Sequence, residues 1–473
     1  MKRFAVICTI ASLMNVRNVL AALTPPTTLV GNPSMNSTGH FQFGSAVDVS
    51  KDGLFLAVGA DLGGQVVLYE RTVIVAESHY DGLDAAIYDE VWEPVFSLSG
   101  NPGETIGDRL SIVSVTDGAL LAVRRYNDTL SGDVEVYRYN ASFTNKSASI
   151  VGDAPINACN DSKGKSVRLV NTHANSTDSP FAGNITWLLA GCESLGLVEI
   201  FRLNNTIDAF QPFVTIQGKR QGTSFGWNTA LILATNQGYL QVAIANPNHD
   251  SRRGSVETYH CNYQGVCSQQ FQATLGGDTE NTHFGFAMDM ATSDGIPVLV
   301  VGSPQSNGNG VNQGSVRVYG WGHPNPNPTS FAGWEIIGEP INGTNNKDRL
   351  GRDVSISNNG LRFVASSMHY ERQKGKFSLY EVDMSQGNVT HISDFTGAAE
   401  FSLFGYSVSL DGVGNTMAVG APRTKTAKGR SVGSVSIFQI TPALDYIIPH
   451  PERNISSVPS GAPSVLLSKF LIR

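Results

Sequence analysis

The sequence is poor in charge and has few long apolar runs. Only 15% of its 473 residues are Asp, Glu, Lys or Arg, and acidic residues prevail, for a formal net charge of -7. A general nucleic-acid binder needs a strongly basic field, so that class is excluded. Past the N-terminus no apolar stretch is long enough to cross a bilayer. Residues 465–472 carry Lys469 and serve neither as a span nor as a lipid-anchor signal. There is no Arg-Gly-Asp, and the 10 histidines form no His-Glu-X-X-His or other close ligand spacing. Cysteine is scarce too, at 5 in the whole chain.

What is present points to export and to a turn-rich β fold. The chain begins with Lys2 and Arg3, an apolar run at residues 4–14 and the small residues Ala21 and Ala22, the layout of a secretory signal at residues 1–22. Asn-X-Ser/Thr sequons stand at Asn36, Asn127, Asn140, Asn145, Asn160, Asn175, Asn184, Asn204, Asn342, Asn388 and Asn454, each the mark of an exposed, glycosylated loop in a secreted or cell-surface protein. If Cys8 leaves with the signal, Cys159, Cys192, Cys261 and Cys267 remain, an even set suited to disulfides. They allow three pairings; joining nearest neighbours gives Cys159 with Cys192 and Cys261 with Cys267. The 49 glycines, 22 Phe and 14 Tyr belong to a folded chain full of turns.

One segment recurs. FGYSVSLDGVGNTMAVGAP (residues 404–422) returns as FGSAVDVSKDGLFLAVGAD (43–61) and FGFAMDMATSDGIPVLVVGSP (284–304), and in weaker form from residues 106, 164, 225 and 350. The lead glycines Gly44, Gly107, Gly164, Gly226, Gly285, Gly351 and Gly405 are roughly sixty residues apart, room for four strands and their loops. In each copy the lead glycine opens an alternating run, a Gly-containing turn follows, and a nearly continuous apolar run comes next. After a variable loop, Gly-Ser-Val-X-X-Tyr/Phe supplies a third strand, and an aromatic or apolar run ending in Gly supplies a fourth. Four strands per unit is the content of a propeller blade. The last copy lacks its fourth strand, whereas TTLVG (27–31) precedes the first; pairing the two ends would close the ring and remove its open edges.

Phe-Gly, then Gly-Ala-Pro or a decayed form, then Gly-Ser-Val-X-X-Tyr resembles the FG-GAP repeat of integrin α-subunits and many secreted proteins. The resemblance covers residues 24–442 and implies an all-β, seven-bladed β-propeller of four-stranded antiparallel blades, closed by the N-terminal strand. Residues 443–473, rich in Pro and Ser, read as a linker or stalk.

In the integrin-type repeat the turn between the first two strands often binds Ca²⁺. Here the nearest candidate, Asp48, Ser50 and Asp52, has Leu56 where the closing carboxylate should stand, so the turn is read as plain Asp-Gly turn chemistry and no cofactor is expected. GTSFG at residues 222–226 matches a hydrolase elbow only in spelling, since its context offers no strand-turn-helix. The acidic segment at residues 79–93 is read as a solvated loop. The loops after the second strands carry Arg124, Arg125, Arg252, Arg253, Arg372, Lys374, Arg423, Lys425, Lys428 and Arg430, a basic rim able to attract anionic polysaccharide. The expected function is a non-catalytic extracellular binding or adhesion module for protein or anionic polysaccharide. A polysaccharide lyase or hydrolase, or a structural wall or matrix component, are the alternatives.

Overall fold

The computed structural model describes residues 22–23, 26–31, 40–80, 83–101, 104–127, 130–141, 147–151, 164–174, 181–219, 224–234, 238–307, 310–322, 333–427 and 429–441. The expected signal (1–22) and tail (443–473) fall almost wholly outside them. Contacts divide the chain into residues 25–439 and a small unit of residues 1–24 with 440–473. In the small unit, Ala22 pairs with Thr441 and Leu23 with Ile440. No helix among the described residues is long and apolar enough to cross a membrane.

Residues 25–439 are all-β, a propeller-like set of antiparallel sheets. Five have four strands each; one of them runs Ala287–Ser293, Ile296–Ser303, Ser315–Trp321 and Trp334–Asn342 in chain order. The second strands are the continuous apolar runs of the sequence, and they are buried along their whole length, as in Phe55–Ala60 and Thr416–Ala421. A strand covered on both faces needs no polar alternation. The fourth strands lie outermost, and Asn388–Thr396 has no buried residue. The core therefore lies between neighbouring sheets. One cluster joins Trp187, Leu189 and Ile200 to Leu231, Leu240 and Val242 of the next sheet. Another joins Phe43, Leu56 and Val58 to Ala418, Val435 and Ile437, near opposite ends of the chain. Each Val, Leu, Ile or Phe side chain among them contributes about 1.5–3 kcal/mol through burial.

Seven copies predict seven separate sheets, and the structure departs from this. Beside the five four-stranded sheets there is one nine-stranded sheet, holding both the first copy (His40–Val49, Phe55–Ala60, Gln65–Tyr80, Leu83–Ser99) and the last (Val408–Leu410, Thr416–Ala421, Ser431–Thr441). The join is a short parallel contact of Ser431 with His40 and Gly433 with Phe43. Elsewhere the same link is a single bridge, Gly254 to Phe284, Gly314 to Leu350 and Gly375 to Phe404. One added pair at the seam merges two sheets. Thr27–Val30 also lies in this sheet, antiparallel to Ser434–Ile437 of the last copy.

The acidic segment at 79–93 departs from its reading as a loop. Gln65–Tyr80 and Leu83–Ser99 form one long hairpin, paired as far as Tyr80 with Leu83. Cys261 and Cys267 face each other across a shorter hairpin and form a disulfide. Cys192 is disulfide-bonded as well, and Cys159 lies outside the described residues.

Beside the hairpin disulfide, His260 is stacked on Tyr239, with ring centroids 3.8 Å apart, and meets the edge of Trp321 at 5.0 Å. Its Nε2 is buried with no hydrogen-bond partner among the described residues, and burial lowers its pKa from 6.5 to about 4. The unfolded chain takes up this proton near pH 6.5 and the folded chain only near pH 4. Stability from this site is thus complete above pH 6.5 and lost as pH falls toward 4. His260→Phe keeps the stack and removes the proton site. Urea unfolding at pH 7 and pH 4.5 should show most of that difference abolished in the variant; equal pH dependence in both proteins would refute the assignment.

Candidate ligand site at the channel mouth

In six of the seven copies the residue after the lead glycine lines a cavity of about 160 Å³ at the centre of the sheets. Phe286, Arg352 and Tyr406 arrive there from Gly285, Gly351 and Gly405, all at positive φ (87°, 85° and 82°). Trp227 stands at the same place after Gly226. The lining takes one segment from each four-stranded sheet and two from the nine-stranded sheet.

These residues form an arc. The Trp227 and Phe286 ring centroids are 5.1 Å apart, and the Trp227 indole N–H donates to the Phe286 carbonyl at 2.9 Å. The Arg352 guanidinium sits between two rings, 4.7 Å from the centroid of Phe286 and 4.9 Å from that of Tyr406, a cation–π sandwich. Burial lowers the pKa of Arg352, which nonetheless stays charged at any ordinary pH.

Carboxylates that line the same cavity bind neighbouring sheets together. An innermost strand has an exposed edge whose N–H groups need acceptors. Asp48 accepts from the Ile112 N–H (2.9 Å), from Ser111 Oγ (3.0 Å) and from Ser409 Oγ (2.9 Å). Asp289 accepts from the Ile356 N–H (3.0 Å), Ser355 Oγ (3.4 Å) and the Arg168 guanidinium. Asp353 accepts from the N–H groups of Val408 (2.8 Å) and Val354 (3.1 Å). Serines extend the pattern around the seam, with Val47 donating to Ser407 and Val49 to Ser409. Burial raises the pKa of Asp48 and Asp353 despite these donors. Arg168 and Lys51, which donates to the Ile356 carbonyl at 3.0 Å, reach across the channel below the mouth.

Asp48, Ser50 and Asp52 are not brought to one point. Asp48 faces the channel, whereas Asp52 accepts from Ser50 Oγ (2.6 Å) and the Leu54 N–H (3.1 Å) within its own turn. No group of three or more His, Cys, Asp and Glu among the described residues is placed to hold a metal ion. Ser224 of the GTSFG segment donates to Glu193 at 2.6 Å and accepts from Asn248.

The starts of the innermost strands pair with the ends of the second strands, as Ala287 does with Gly302 and Ala46 with Gly59. The basic loops therefore share the side of the mouth. Much of their charge is neutralised. Arg124 is buried, pairs with Asp108 and lies over Tyr126. Arg125 is held by Glu104 (3.2 Å) and Glu135 (2.5 Å). Arg253 pairs with Asp250, Arg372 with Glu400 and Lys374 with Glu371. Arg252, Arg423, Lys425 and Arg430 have no ion pair among the described residues, and Lys428 lies outside them.

Sequence reasoning overlooked Arg349 and His369. The pKa of His369 is lowered to about 4 by burial and by Arg349, Arg352 and Arg423 around it. The Arg349 Nε is buried without a partner. Among the sequons, Asn184, Asn342 and Asn388 are exposed, Asn140 and Asn204 are half-buried, the side chain of Asn127 is undescribed, and Asn36, Asn145, Asn160, Asn175 and Asn454 fall outside the described residues.

No family model matches the sequence, and no curated protein matches it.

Proposed function

We propose that the chain is a secreted or cell-surface glycoprotein, a seven-bladed FG-GAP-type propeller, acting as a non-catalytic module that binds anionic polysaccharide. The nine-stranded sheet counts as two blades in this reading, because its join repeats the Gly-to-Phe bridge found between separate sheets. The observation that carries the function is the group of cations around His369 beside the mouth, none of them in a salt bridge among the described residues. Every carboxylate oxygen of Asp48, Asp289 and Asp353 already accepts a protein hydrogen bond. At the mouth, Arg349, Arg352, Arg423 and His369 gather with no salt bridge to a carboxylate among the described residues. A cationic group of this kind attracts polyanions, and salt weakens the attraction.

Chromatography on an immobilised anionic polysaccharide tests the proposal. The wild-type protein should elute late in a salt gradient, and a variant with Arg423, Lys425 and Arg430 all changed to Glu should elute much earlier. Unchanged elution would refute the reading. New reducing ends or unsaturated sugars in the eluate would instead establish a lyase or hydrolase.

A further inference from the structure

We infer that the channel mouth is a subsite for one terminal acidic sugar residue, its ring laid on the aromatic arc of Trp227, Phe286 and Tyr406 and its carboxylate paired with Arg352. The inference rests on the proposal that this face binds anionic glycan, and it narrows the ligand to a chain end or branch tip bearing a uronic acid.

The cavity, at about 160 Å³, is well below the roughly 300–1,000 Å³ of sites for drug-sized ligands, so it admits a single residue. The floor is filled, because Arg168 reaches Asp289 and Lys51 reaches the Ile356 carbonyl across the channel. A polymer cannot thread through; only an end can enter. The walls are half-exposed rings, the surface on which the C–H faces of a sugar stack, with polar edges at Asn228 and Ser407 for its hydroxyls. Arg352 supplies the charge selection. Its planar fork matches a carboxylate, and its orientation is fixed in advance by the rings on either side. The neighbouring Asp353 attracts Arg352 but makes no salt bridge with it, its two oxygens accepting instead from the N–H groups of Val354 and Val408. Asp108, also at the mouth, is paired with Arg124. Arg352 thus has two rings and a tyrosine hydroxyl around it, and a ligand carboxylate would complete the set.

Calorimetric titration of the whole secreted protein with a disaccharide ending in glucuronic acid, against the same disaccharide ending in glucose, decides the matter. The wild type should bind the acidic sugar and show no measurable binding of the neutral one. Arg352→Gln should weaken the acidic sugar about 10- to 100-fold, the loss of a charge-assisted pair. Arg352→Lys, which keeps the charge without the planar fork, should recover part of the loss. Trp227→Leu should weaken it about 2- to 10-fold by removing the stacking face. If Arg352→Gln does not fold, Arg352→Lys and Trp227→Leu carry the same comparison. Equal affinity of the wild type and the Arg352 variants, equal affinity for the two sugars, or no binding of the acidic one would each overturn the inference. The Arg423, Lys425 and Arg430 charge reversal separates the two proposals. It should lose the polymer and keep the disaccharide, whereas polymer retention with no disaccharide binding removes the subsite and leaves the broader reading standing.

Discussion

Gly420→Ala should prevent the ring from closing, costing about 3–5 kcal/mol or abolishing soluble protein, in the range of the most damaging single substitutions. Gly420 stands next to the end of the second strand of the last copy, and a Cβ there would lie 2.0 Å from the carbonyl oxygen of Gly44, the lead glycine of the first. Backbone meets backbone at this point, so no flexible side chain can move aside. Gly44 cannot retreat either: it holds φ at +89°, and its own Cβ position lies 2.6 Å from the Ser434 carbonyl. The only relief is to part the first and last copies, which would open the cluster shared by Phe43, Val58 and Val435. Gly429→Ala is the control. It has a similar positive φ of +79° but nothing within 4 Å, so it should cost only about 1 kcal/mol. Scanning calorimetry of the two variants would show the difference, and similar melting temperatures would mean that the seam is not a tight closure.

Asp289→Ala should be nearly as severe, at about 3–5 kcal/mol, for an electrostatic reason. The residue is 2% exposed and accepts from Arg168, Ser355 and the Ile356 N–H, each on a different strand from its own. Its removal leaves a cation and a backbone donor in the channel without an acceptor, the costly way to break a buried pair. Asp289→Asn keeps one carbonyl acceptor and should cost less. Adding Arg168→Met to Asp289→Ala should restore about 1–2 kcal/mol, since the stranded charge goes too. Chemical denaturation of the wild type, the two Asp289 variants, Arg168→Met and the double variant measures this, and strictly additive losses would show that the two side chains do not act as a pair.

The glycines made the fold legible. Gly44, Gly285 and Gly405 keep a period because each must approach the backbone of a neighbour, and Gly59, Gly302 and Gly420 recur for the same reason from the other side. The merging of the first and last copies was not legible. It depends on the one pair Ser431 with His40 beyond a link that occurs elsewhere, and no hydrophobic pattern encodes a single added pair. The arginine loops could be located by sequence, but their partners could not. Whether Arg124 is a free cation or a buried one depends on Asp108, which the fold brings from another strand. The mouth was visible in principle: aligning the copies on the lead glycine and reading the next position gives Trp227, Phe286, Arg352 and Tyr406. That column has meaning only once the innermost strands are known to converge, since nothing local distinguishes these residues from ordinary aromatics.

The closing strand also sets a timetable for synthesis. Val30 pairs with Ser434, so the earlier segment must wait for one made much later in the chain. At about 5–20 residues per second the wait is on the order of tens of seconds, during which both edges of the growing array stay uncovered. A chain cut short before residue 434 never receives its clasp. It would emerge as a string of formed sheets with two adhesive ends, so a late nonsense mutation should yield an aggregating product and not a weakened one.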